Sequence, residues 1–67
     1  RLFKIGGMIM DYKVYKNGNL YSEYGEHSHD YIMAKNEFDT LKRRHKKDGA
    51  RITLCGVFGD ILEDTKS

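Results

Sequence analysis

Proline is absent, cysteine occurs once, and no apolar run approaches the length of a membrane span. Each lack excludes something. The single thiol, Cys55, has no partner for an internal disulfide, so the chain does not read as a secreted disulfide scaffold and suits a reducing, cytoplasmic environment. A transmembrane helix needs roughly 20 consecutive apolar residues, and a membrane partner is therefore not expected. Arg1–Gly7 has neither a long apolar stretch nor a small-residue cleavage motif, so it does not read as a signal peptide. Because Met8 follows Gly6-Gly7, residues 1–7 read as an N-terminal extension or an appended segment that can pair as a strand.

Little is also available for a core. Of 67 residues, 39% are hydrophobic and 33% charged, and a chain this short buries only roughly 60% of its unfolded surface. Disorder is nevertheless excluded: aromatics reach 12% and the net charge is only +2, the reverse of the charge-rich, aromatic-poor disordered signature. These numbers imply a single domain over residues 8–64, a frayed tail at 65–67, and a small core that an oligomer interface would enlarge.

The chain has a regular order. Asn17-Gly18 is a strong hairpin signal between Val14-Tyr15-Lys16 and Leu20-Tyr21-Ser22. Met8, Met10, Tyr12 and Val14 share one face at period two, and Ile9, Asp11, Lys13 and Tyr15 the other; the first set is the expected core face. A two-residue turn pairs Tyr15 with Leu20, whereas a three-residue loop pairs Tyr15 with Tyr21 and Lys13 with Glu23. Gly25–Asp30 reads as a polar loop and Tyr31-Ile32-Met33 as a short optional strand. Ala34, Phe38, Leu41 and His45 then recur on one helical stripe, with the helix starting at Ala34 or Asn36 and stopping at Gly49. If Ala34 is the cap, Ala34→Ser should stabilise by about 1 kcal/mol. Arg51–Phe58 alternates as a strand with Ile52, Leu54 and Phe58 inward, Gly56 suggesting a bulge or close backbone approach. Ile61-Leu62 packs or pairs briefly, and Glu63 onward frays. The expected fold is α+β: a three- to four-stranded antiparallel sheet, β-β-(β)-α-β, with one amphipathic helix on one face.

Two residue sets suggest contact with other molecules. Tyr12, Tyr15, Tyr21, Tyr24 and Tyr31 lie in or beside the sheet, and tyrosine is enriched at protein interfaces because it combines apolar area with a hydroxyl. Tyrosine also favours strands, so at least two of the five are expected to be structural. Lys42-Arg43-Arg44-His45-Lys46-Lys47 concentrates cations near the helix end. Lys35, Lys42 and Lys46 would share one flank, with Arg43 and Lys47 outward, and several cations on one surface can neutralise phosphates. The plainer account is a solvated helix face, partly neutralised by Asp39 four residues before Arg43.

Catalytic and metal signals are weak. Glu26, His27, His29 and Asp30 are of ligand type, but two histidines at i, i+2 lack the spacing of a structural zinc site. Cys55 in a strand beside Gly56 reads as a buried small hydrophobe. The glycines fit neither a phosphate loop nor a dinucleotide fingerprint. No enzyme activity, metal or cofactor is expected.

The order hairpin, helix, strand, with Leu20-Tyr21-Ser22-Glu23-Tyr24 before the helix, resembles the small phage inhibitors of uracil-DNA glycosylase in topology. That family imitates DNA through an acidic binding face, whereas this helix is basic. The resemblance implies a protein that inhibits an enzyme by docking on it. The expectation is a non-enzymatic protein-binding module, a regulator or inhibitor acting through its tyrosines on another protein, with homodimerisation a further option. The alternative is a nucleic-acid-binding module using the basic helix and sheet tyrosines.

Overall fold

The structure, a computed structural model, describes residues 11–66. Asn17 and Gly18 both take positive φ, 53° and 83°, the backbone that a two-residue hairpin turn requires. They join β1, Tyr12–Lys16, to β2, Asn19–Tyr24. Next to the turn Tyr15 pairs with Leu20, yet further out Val14 pairs with Ser22 and Lys13 with Glu23. Tyr21 is the extra residue of a bulge that separates the two registers. The Tyr15–Leu20 pair expected of a two-residue turn therefore occurs beside the turn and the Lys13–Glu23 pair occurs beyond the bulge, whereas the alternative pairing of Tyr15 with Tyr21 does not form.

The helix begins earlier than Ala34 or Asn36: α1 spans Ser28–Arg44. Tyr31-Ile32-Met33 is its second turn and not a strand, and the second half of the expected Gly25–Asp30 loop, Ser28–Asp30, is helical. Asp30 supplies the start, its carboxylate accepting the His27 backbone N–H at 3.0 Å and placing negative charge in the first turn, where the helix dipole favours it. At the other end His45 caps the helix, and Gly49, at φ 73°, donates its N–H to the His45 carbonyl at 3.1 Å. Gly49 is the expected stop, reached after a short turn through Lys46 and Lys47.

β3 is Ile52–Cys55 and β4 is Ile61–Asp64. The sheet order is β2-β1-β3-β4, antiparallel throughout. The α+β architecture holds, with the fourth strand after the helix. β3 is shorter than the alternation suggested. Gly56 donates to the Asp60 carbonyl and Gly59 to the Gly56 carbonyl, so the chain turns before Phe58 can face inward, and Phe58 is 76% exposed. The expected fraying from Glu63 is also corrected. Glu63 and Asp64 pair in β4, and Thr65 exchanges bonds with Ile52 through its N–H and its hydroxyl, each at 3.0 Å. Met8, Met10, residues 1–7 and Ser67 lie outside the described residues.

The helix lies over β2, β1 and β3. Val14, Ala34, Phe38, Leu41, Ile52 and Leu54 form the buried cluster, ringed by Tyr12, Tyr24, Tyr31 and Ala50. His45, the last member of the helical stripe, sits at its edge, its ring nitrogen 2.8 Å from Asp48.

Candidate functional site

The five tyrosines do not form one surface. Tyr12, Tyr24 and Tyr31 pack against the core on the helix side. The rings of Tyr12 and Tyr31 are 5.4 Å apart and tilted by 59°, a favourable aromatic geometry. The Tyr24 hydroxyl donates to Glu37 at 3.2 Å, and burial, followed by the Glu37 charge, raises its pKa. Only Tyr15 and Tyr21 turn away. Tyr15 alternates with buried Val14 and so lies on the face opposite the helix, while Tyr21 is exposed at the bulge in edge strand β2.

That opposite face collects apolar groups that the tyrosine pattern missed. Leu20 stands beside Tyr15 in the register, and Ile61 beside Cys55. The Gly56–Gly59 turn adds Val57 and Phe58, which with Lys13, Tyr15 and Cys55 line a cleft of about 230 Å³. Leu20 is 48% exposed and Ile61 59%. Tyr15, Leu20, Val57, Phe58 and Ile61 thus form one patch across the sheet, with Cys55 buried in the cleft. Among the described residues the helix covers only the other face. A signal for the patch is present in the sequence, since Leu20 alternates with the same parity as Tyr15 across a two-residue turn, but the alternation of Arg51–Phe58 predicts a continuing strand where the chain turns and everts Phe58.

Chemistry in this cleft is limited. Burial pushes the Cys55 thiol up, with the Asp60 charge acting in the same direction, so it stays protonated and a weak nucleophile. Lys13 stands on the rim without an ion-pair partner among the described residues.

The cations also separate. Lys35 is not a free member of a phosphate-binding flank: it pairs with Glu63 and, at 3.3 Å, with Asp39. Those contacts raise its pKa, the Glu63 hydrogen bond most. Asp39 is therefore used by Lys35 and not by Arg43. Lys35 and Lys42 both extend over the Phe38 ring, at 5.3 and 5.6 Å from its centre, sealing it with their stems. Lys42 and Lys46 continue along a groove between the helix end and β4, while Arg43 and Lys47 are exposed beside it. Helix cations and outward tyrosines lie on different sides of the molecule.

Comparison with protein-family models, with characterised proteins and with solved structures gives no match. His27 and His29 stack, 5.6 Å between ring centres. Among the described residues no three His, Cys, Asp or Glu side chains converge as metal ligands, and no helix is long and apolar enough to cross a membrane.

Proposed function

We propose that this domain is a non-enzymatic protein-binding module, a regulator or inhibitor that docks on another protein through the open face of its sheet. The apolar patch of Tyr15, Leu20, Val57, Phe58 and Ile61 carries this reading, because a contiguous exposed apolar surface rimmed by polar groups marks an interaction site. The cleft size points the same way. At about 230 Å³ it is smaller than the roughly 300–1,000 Å³ of small-molecule sites, and it suits one large apolar side chain. Lys13 on the rim adds a preference for a carboxylate next to that side chain. A nucleic-acid module with base stacking needs tyrosines and cations on one surface, and here they lie on different sides.

The test is Phe58→Asp against the native protein and a Lys46→Glu control. Phe58 is exposed, so all three should melt alike. A partner captured from lysate by the native protein and the control, and confirmed as a purified one-to-one complex, should lose at least about tenfold in affinity with Phe58→Asp. Equal binding by all three would refute the reading. Concentration-dependent sedimentation of the native protein, abolished by Phe58→Asp, would instead assign the face to a second copy.

A further inference from the structure

We propose that the groove between the C-terminal half of α1 and residues 63–66 binds a compact phosphate-bearing anion. This inference concerns the side of the molecule away from the docking patch and does not rest on it.

The groove has a volume of about 450 Å³, within the roughly 300–1,000 Å³ of small-ligand sites. Lys42, in the last turn of α1, and Lys46, just beyond its cap, line one wall. Lys66 comes from the other wall, its amine near Gly49. Phe38 and Ala50 supply an apolar floor, where low local dielectric strengthens attraction between charges.

Two carboxylates, Glu63 and Asp64, also line the groove, and alone they would oppose an anion. Both are already engaged. Glu63 is held by Lys35, and Asp64 accepts the Arg51 guanidinium at 3.0 and 3.2 Å. Lys42, Lys46 and Lys66 have no ion-pair partner among the described residues, so the groove keeps an excess of positive charge. Complementing the helix dipole accounts for cations in the last turn. It does not account for Lys66, which lies outside the helix and reaches the same groove. Ammonium groups act as point charges with rotatable donors, which suits tetrahedral phosphate oxygens approached from several sides. The ligand should be compact, because Arg43 and Lys47, which a polymer backbone would also need, do not line the groove.

Titration of the isotopically labelled protein with inorganic phosphate, pyrophosphate and a mononucleotide, followed by amide chemical shifts, tests this. Sodium chloride at matched ionic strength is the reference. The expected result is saturable shifts at Lys42, Lys46, Ala50 and Lys66, with pyrophosphate tighter than phosphate. The double variant Lys42→Glu, Lys46→Glu should lose at least about tenfold in affinity, whereas Arg43→Glu, Lys47→Glu, with the same charge change, should lose no more than about threefold. All four side chains are exposed, and a melting curve for each variant verifies its fold. Shifts that follow ionic strength alone, or equal losses in the two variants, would overturn the proposal. So would a single-stranded oligonucleotide that binds more tightly than pyrophosphate and loses equally in both variants, which would assign the surface to a polymer backbone.

Discussion

Single side chains differ sharply in what they hold. Phe38 and Leu41 touch the sheet from the centre of α1 and are almost wholly buried. Either one changed to alanine should cost about 2–5 kcal/mol through lost burial and a residual cavity. Stabilities of a few kcal/mol are typical at this size, so urea titration should find both variants largely unfolded or strongly shifted in midpoint. Asp64 acts through charge. The hydrogen bonds from Arg51, with that of the Lys66 N–H next, lower its pKa from an ordinary 3.8 to about 2. A carboxyl more acidic in the folded state stabilises the fold above its unfolded pKa, and that contribution disappears as pH falls toward 2. Melting temperature should therefore drop between pH 4 and pH 2. Arg51→Gln should flatten part of that drop, and an unchanged acid limb would show that the pair contributes nothing.

Elements respond through their ends. The start of α1 depends on Asp30, whose carboxylate holds the His27 N–H. A Cβ at Gly25 would meet that same carboxylate at 2.7 Å. Gly25→Ala should accordingly act by displacing Asp30, costing about 1 kcal/mol as a lost cap does. In an Asp30→Ala background the same change should cost much less, so a double-mutant cycle should be clearly non-additive; additive losses would separate the two residues. Ala34 reverses its expected behaviour. As a cap it would gain from serine, but it is fully buried in the core, so Ala34→Ser places a hydroxyl against Phe38 and Leu41 and should destabilise. A rise in melting temperature for Ala34→Ser would contradict this placement.

At the scale of the whole molecule, one helix covers one face of a four-stranded sheet, and among the described residues the other face is left open. Each outer strand, β2 and β4, carries a bulge, a feature that discourages edge-to-edge pairing. This weighs against pairing of two copies through their sheet edges. Sedimentation equilibrium should accordingly give a single monomeric mass, with a melting temperature independent of concentration. Mass action requires stability to rise with concentration if a dimer forms, so a rising melt would place a second copy on the patch.

What the sequence determined by itself is what local chemistry and periodicity control. Asn17-Gly18 demanded a tight turn because few other pairs accept positive φ twice. The spacing of Ala34, Phe38 and Leu41 required a helix with one apolar stripe, and Gly49 provided a left-handed stop. Sheet class followed from those elements, since a single amphipathic helix and a hairpin can bury their apolar faces only against each other. Tertiary structure decided what depends on partners distant in the chain. Three residues, Tyr31-Ile32-Met33, are too few to separate period two from period 3.6, and only the Asp30 cap and the packing of Tyr31 on Tyr12 made them helical. Division of the tyrosines into three core and two outward residues required the bulge at Tyr21 and the side of the sheet that the helix chose. Phe58 joined the open face because backbone hydrogen bonds among Gly56, Gly59 and Asp60 turned the chain, an outcome no alternation of side chains records. The groove beside α1 exists only because β4 brings Glu63, Asp64 and Lys66 back to the helix end, where Lys35 and Arg51 neutralise the acids and leave the lysines in excess.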